Sequence, residues 1–313
     1  MNQQPAPLKA RPLDSGATIG VCAPSGPVRD AEALESGVAW LEAQGYRVRL
    51  APHVMAQRGY LAGDDAQRAG DLLELLRDPQ VDGIVLARGG YGLGRFLSRL
   101  DPEELREARK LIVGYSDATS LLLYLWRRAG LMSVHGPMLE RPDHSAAARE
   151  RLLALLRGER AACEPLCGQS LRGGRATGRL VGGNLRVLNA SLGTPWEIDT
   201  RGAILFIEEI GEQPYALDRS LVQLREAGKL AAAAGVAVGH LVDCESERYP
   251  DVSSQDAVCE LLAESFEGPV VWSLPFGHVA DHQALGVGAQ AEIDGERSTL
   301  RMLEGVVSVE GDA

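Results

Sequence analysis

The sequence contains no uninterrupted apolar run near the roughly 18 residues needed to span a bilayer as a helix. Its first residues, Met1-Asn2-Gln3-Gln4-Pro5-Ala6-Pro7, lack the apolar core of a secretory signal, and residues 1–15 are expected to form a disordered tail. Cysteine is sparse. Cys22, Cys163, Cys167, Cys244 and Cys259 are odd in number and irregular in spacing. Only Cys163 and Cys167 are close, and no histidine or second cysteine pair lies nearby to complete a zinc site. Reduced thiols in a cytoplasmic protein are the economical reading. Basic residues are in deficit: 32 Lys and Arg face 43 Asp and Glu, a net charge of -11. That balance argues against nucleic acid or an anionic membrane as the main partner. Internal repeats and low-complexity segments are also lacking.

What is present is ordinary for a soluble globular protein, with 45% hydrophobic and 24% charged residues. A chain of 313 residues can bury a full core and is expected to form two domains. In the first half, short apolar runs alternate with helical patterns. Strands are expected at 18–23, 46–50, 83–87 and 111–114, and helices at 30–44, 65–77 and 102–109. This alternation implies a parallel sheet covered on both faces. The rhythm breaks over 158–178, rich in Gly and Arg, which is read as the linker between a domain over 16–157 and another over 179–313. In the second half, strands are expected at 203–207, 236–241 and 269–274. Helices are expected at 217–227 and 254–265, and short strands over 284–309.

The most telling segment is Leu111-Ile112-Val113-Gly114-Tyr115-Ser116-Asp117. A buried strand runs into a Gly, and a serine follows just before a helix-forming run. Such a turn pushes the hydroxyl out of the sheet, beside helix N–H groups that favour negative charge. This is the pattern of a nucleophile elbow, although Ala118 replaces the last Gly of G-x-S-x-G. The plainer alternative is that Ser116 or Asp117 only caps the helix.

A serine nucleophile needs a base and an orienting acid. His278 follows the strand Val270-Val271-Trp272-Ser273-Leu274 and the turn Pro275-Phe276-Gly277, a position suited to a working side chain. His282 lies four residues on, but the preceding Pro and Gly disfavour a helix presenting both to a metal. Glu208 and Glu209 end the run Ile204-Leu205-Phe206-Ile207. They point to opposite sides of a strand, so only one can face the site. Arg88-Gly89-Gly90-Tyr91-Gly92-Leu93-Gly94 lacks dinucleotide-loop spacing. It suits close backbone approach to a carbonyl, with the Gly90 and Asp117 N–H groups as an oxyanion hole. Arg88 and Asn184 are candidates for a substrate carboxylate, with a loop-anchoring ion pair as the alternative role for Arg88. Tyr91 and Trp196 either line the cleft or only pack within it.

Taken in order, Ala23-Pro24-Ser25-Gly26, Arg88-Gly89-Gly90-Tyr91-Gly92, Gly114-Tyr115-Ser116-Asp117 and His135-Gly136-Pro137-Met138 resemble motifs of the LD-carboxypeptidase family of serine peptidases. Gly182-Gly183-Asn184-Leu185, Gly193-Thr194-Pro195-Trp196, the run Ile207 to Tyr215, Asp218-Arg219 and Phe276-Gly277-His278 continue the series. The likeness spans about residues 17–300. It implies a Rossmann-like N-terminal domain with the nucleophile and a smaller C-terminal α/β domain with the acid and base. The site would lie at their interface. It also implies a triad of Ser116, Glu208 and His278, with the first of the two glutamates as the acid. Glu209 stands where the family often has Asp. The implied reaction removes the terminal D-Ala of a murein tetrapeptide, with no metal or organic cofactor, in a homodimer. Two rivals accompany this reading: an amidase resembling the microcin C immunity proteins, with Trp196 as a possible platform for adenine, and a non-catalytic muropeptide-binding module. An α/β-hydrolase is disfavoured, since the second half lacks its continuous sheet pattern.

Overall fold

The computed structural model describes residues 5–141 and 143–309. The strands in chain order are β1 (Thr18–Cys22), β2 (Arg47–Leu50), β3 (Gly83–Leu86), β4 (Leu111–Gly114) and β5 (Ser133–His135). They continue with β6 (Leu166–Cys167), β7 (Gln169–Arg172), β8 (Arg175–Asn184), β9 (Ile204–Ile210), β10 (Gly235–Val242) and β11 (Val270–Trp272). The last are β12 (Leu285–Val287), β13 (Gln290–Asp294) and β14 (Thr299–Met302).

Among the described residues these strands form two sheets. The first has the order β12-β5-β4-β3-β1-β2 and the second β6-β14-β13-β8-β9-β10-β11-β7. In the first, β1 to β5 run parallel and β12 pairs antiparallel with β5. In the second, β8 to β11 form a parallel centre flanked by antiparallel strands. The central strands β3 and β4 are buried along their whole length, which explains their continuous apolar runs.

Helix boundaries follow their caps. Asp64 and Gln67 form a reciprocal capping box at the start of Asp65–Arg77. Ser253 caps Ser254–Ser265, and Pro214 opens Pro214–Glu226. No helix among the described residues is long and apolar enough to cross a membrane.

Three expectations need correction. Residues 5–15 are not a loose tail: Leu8 bridges to Leu131, Ala10 bridges to Val307, and Leu13 is fully buried. Apolar residues at 8, 10 and 13 find core partners that a polar, Pro-containing start conceals. Residues 1–4 of the expected tail lie outside the described residues. The stretch 158–178 is not a simple linker, because it supplies β6, β7 and the start of β8. Its glycines serve close approach instead: a Cβ on Gly178 would lie 2.2 Å from the Gly202 carbonyl oxygen. Finally, the 179–313 half is not self-contained, since β12 returns to the first sheet. Residues 310–313 lie outside the described residues.

The two sheets meet through aromatic packing. The Phe206 ring on β9 lies 5.1 Å from the His135 ring at the end of β5, and 5.8 Å from Phe276. Phe206 is fully buried. Phe206→Ala should cost about 3–5 kcal/mol, read as a lower midpoint in chemical denaturation.

Candidate active site

Gly114 ends β4, and the chain passes through extended Tyr115 to Ser116, which takes a left-handed φ of 62°. For a residue with a Cβ this costs on the order of 1–3 kcal/mol and must be imposed by surrounding contacts. The 3-10 turn Ser116–Ala118 then leads into the α-helix Thr119–Tyr124. A Cβ on Gly114 would sit 2.8 Å from the Ala118 Cβ. The tight strand-to-helix contact therefore uses a glycine at 114, which is why Ala118 is tolerated.

Neither Ser116 nor Asp117 acts as a side-chain cap. The buried Asp117 Oδ2 accepts hydrogen bonds from Ser25 Oγ at 2.6 Å and from the Leu93 N–H at 3.0 Å. Burial pushes its carboxyl up from the usual range, against the pull of these bonds. The Ala23–Gly26 loop, the glycine-rich loop and the elbow are thereby tied together. The Gly26 N–H donates to the Gly89 carbonyl at 3.0 Å. A Cβ on Gly89 would meet the Ser116 Cβ at 2.8 Å and its Oγ at 3.0 Å. Gly90, with φ 116°, would place a Cβ 2.9 Å from the Gly26 Cα.

From the second sheet, β9 brings Glu208 and Glu209 to the junction, both buried. They point apart, as a strand requires. Glu208 Oε2 lies 2.7 Å from His278 Nδ1. Glu209 instead accepts from Asn184 Nδ2 at 2.6 Å, the Arg186 N–H at 2.7 Å and the Ile210 N–H at 2.9 Å. One carboxylate faces the histidine and the other braces a helix start.

Ser116 and His278 line one cleft of about 250 Å³, together with Ala87, Arg88, Gly89, Gly90, Tyr115, Met138, Glu140 and Arg141. The Tyr115 ring lies 4.8 Å from that of His278. Of the expected pocket residues, Arg88 is at the cleft, but its Nη1 donates to the Pro27 carbonyl at 2.9 Å and pairs with Glu140 at 3.3 Å. The loop-anchoring ion pair is therefore present at the cleft. Tyr91 is exposed, with its ring 5.9 Å from Tyr60. Asn184 caps the helix Leu185–Ser191 and is held by Glu209. Trp196 is buried against Tyr124, with ring centroids 5.9 Å apart. Tyr91, Asn184 and Trp196 are not among the residues lining this cleft. Sequence reasoning quoted Met138 in the His135–Met138 motif without giving it a site role, and missed Glu140 and Arg141 just beyond it. Arg141 Nη1 donates to the His278 carbonyl at 3.3 Å, and its Nη2 pairs with Asp143 at 2.8 Å.

Against this geometry stand the similarities to known proteins. The LD-carboxypeptidase N-terminal domain model matches residues 19–136, and the C-terminal domain model matches residues 177–293. The chain belongs to the LD-carboxypeptidase family. It is a serine-type carboxypeptidase, a hydrolase. The murein tetrapeptide carboxypeptidase of Pseudomonas aeruginosa is 32% identical over 305 residues, covering 92% of this chain and 95% of that protein. The crystal structure of muramoyltetrapeptide carboxypeptidase from Oxalobacter formigenes superposes with a TM-score of 0.82 at 30% identity, covering 94% of this chain and 100% of the other. The structure of MccF with glutamyl sulfamoyl guanosine gives a TM-score of 0.87, covering 96% of this chain and 100% of that one, at 22% identity. At that identity the likeness shows the shared fold.

Three more histidines, His135, His144 and His282, are buried near His278. Burial pushes His135 and His144 down to about 4, and His282 well below its ordinary value. Below about pH 6.5 the unfolded chain binds protons at these positions while the native protein does not. Stability should therefore fall as pH drops from about 6.5 toward 4, by on the order of 3 kcal/mol for each of His135 and His144. Urea midpoints across this range should decline, and His135→Phe should flatten the decline if it folds.

Proposed function

We propose that this carboxypeptidase cleaves the L,D-amide between meso-diaminopimelate and the terminal D-Ala of murein tetrapeptides through a Ser116–His278–Glu208 triad. The observation that carries the reading is the 2.7 Å contact between His278 Nδ1 and Glu208 Oε2, with His278 sharing a cleft with a strained serine. Ser116 Oγ attacks the amide carbonyl while His278 Nε2 takes its proton. The proton then passes to the leaving D-Ala nitrogen as the C–N bond breaks. Water, deprotonated by the same imidazole, cleaves the acyl-enzyme and releases the tripeptide. Glu208 keeps the His278 proton on Nδ1 and stabilises the imidazolium.

The backbone N–H groups of Gly90 and Asp117 are the oxyanion donors in this scheme. Gly90 lines the cleft, and Asp117 directly follows the nucleophile. One such donor is typically worth about 2.7–4 kcal/mol in the transition state. Arg88 and Arg141 supply positive charge for the substrate's carboxylates. The names of the Pseudomonas and Oxalobacter relatives support the tetrapeptide as substrate. With that substrate, the protein would act as a cytoplasmic homodimer in peptidoglycan recycling.

The second reading, hydrolysis of an aminoacyl-nucleotide amide, draws on the likeness to MccF. The burial of Trp196 against Tyr124 weighs against that residue as a nucleobase platform. Purified protein should release D-Ala from free tetrapeptide, seen by mass, with EDTA present, and faster than it turns over an aminoacyl sulfamoyl nucleotide. Ser116→Ala should lower kcat by at least about 10⁴-fold with the fold retained. Glu208→Gln should lower it by about 10²-fold or more, and equal activity would overturn the triad.

A further inference from the structure

The triad uses one histidine, yet three others are buried around it. His282 is fully buried, with its ring 5.1 Å from His135, 6.3 Å from His144 and 4.6 Å from Tyr115. Among the described residues no group of His, Cys, Asp and Glu is arranged to hold a metal ion. What His282 does hold is backbone. Its Nδ1 accepts the Gly277 N–H at 2.8 Å. A ring nitrogen that accepts an N–H carries no proton, which assigns the His282 proton to Nε2 and makes the ring neutral.

Gly277 directly precedes His278 and lies against the acid. Its φ is 115°, and a Cβ there would meet the Glu208 Cβ at 3.1 Å and Oε2 at 3.2 Å. Backbone bonds also fix this turn, including one from the Phe276 N–H to the Leu274 carbonyl at 2.7 Å. The Pro275 carbonyl accepts from the Gln283 N–H at 2.8 Å, and the Phe276 carbonyl accepts from the His240 N–H at 2.9 Å. The His278 carbonyl accepts from Arg141 at 3.3 Å. The Phe276–Gly277 peptide is thus held at its carbonyl by the His240 backbone and at its N–H by a side-chain nitrogen of His282. The same ring also backs Tyr115, whose centroid is 4.8 Å from that of His278 and 4.6 Å from that of His282.

We propose that His282 is a positioning residue for proton transfer. By accepting the Gly277 N–H and backing Tyr115, it holds the His278 ring on Glu208 and aimed at Ser116. This rests on the triad reading above. Losing the acceptor leaves the Gly277 N–H unpaired on a peptide held only at its carbonyl, and a tilt of that peptide carries His278 with it. Substrate contacts in the cleft stay as they are, so the loss falls on the chemical step.

The test uses the full chain with His282→Phe, which keeps a ring but removes the acceptor, and His282→Asn, whose amide oxygen can take the place of Nδ1. The readouts are kcat and KM for D-Ala release from tetrapeptide, the rate of Ser116 labelling by a fluorophosphonate, and the thermal midpoint. His282→Phe should lower kcat and the labelling rate by about 10²-fold, the cost of a small misplacement of a reacting group, with KM changed by less than about twofold. His282→Asn should recover at least about tenfold of that loss. Should the Phe variant not fold, His282→Leu, which also removes the acceptor, takes its place in the comparison with His282→Asn on the same readouts, with the same losses expected. A kcat for His282→Phe within about threefold of wild type, equal losses in the Phe and Asn variants, or a loss confined to KM would overturn the proposal. Wild-type protein that labels but releases no D-Ala would overturn the substrate reading and leave the labelling comparison standing. Wild-type protein that does neither would overturn the triad, and the positioning role with it.

Discussion

Everything at the cleft depends on one seam, where the helix after Ser116 lies against the end of β8. The Asn184 N–H donates to Thr119 Oγ1 at 3.1 Å, and a Cβ on Gly183 would fall 2.4 Å from the same oxygen. Gly183 has a φ of 144°, so this position is closed to side chains on two grounds. Thr119 is three residues past the serine. Asn184 pairs in register with Glu208 on the neighbouring parallel strand. The elbow in one sheet is thus locked to the acid in the other through one hydrogen bond and one strand register. A one-residue slip of β8 against β9 would turn the wrong face of the strand toward His278.

Two adjacent buried carboxylates are costly unless each is compensated. The protein meets this asymmetrically. Glu209 takes three hydrogen bonds, and Asn184 both donates to it and caps the helix Leu185–Ser191 by accepting the Val187 N–H at 3.2 Å. Glu209 therefore stabilises the same end of β8 that the seam fixes. Glu208 is bonded to an imidazole through Oε2, while its buried Oε1 has no hydrogen-bond partner among the described residues. The structural acid is saturated, and the one bonded to His278 is not.

The chemistry that local pattern encodes was readable in the sequence. A strand, a glycine, a serine and a helical run specify an elbow because the turn is made by consecutive residues. The strands and helices of the first sheet were legible for the same reason. The choice between Glu208 and Glu209 came from the family resemblance and not from local pattern, because alternation says that they diverge without saying where His278 lies. Trp196 and Asn184 misled as pocket candidates because an aromatic or an amide beside a glycine run looks the same whether it faces a cleft or a neighbouring helix. The tail and linker readings failed over distance. Leu8 and Ala10 find their bridge partners, Leu131 and Val307, more than a hundred residues away, and nothing local announces them. Arg141 escaped notice because its place beside His278 is set by the packing of the segment after β5 against the turn after β11.

The route of the chain after His278 has a further consequence. Ser145 accepts the turn back toward the first sheet, its N–H donating to the Ala280 carbonyl at 2.9 Å, and Arg151 Nε donates to the Ala284 carbonyl at 3.0 Å. The edge strand of the first sheet therefore comes from the far side of the second. On the ribosome, the N-terminal sheet emerges with its β5 edge still unpaired and waits there until nearly the whole polypeptide has been made. An open strand edge of that kind is a template for misassociation during synthesis. Closing that edge draws in the same stretch of chain that delivers the imidazole, so assembly of the reactive centre and closure of the β5 edge are one step.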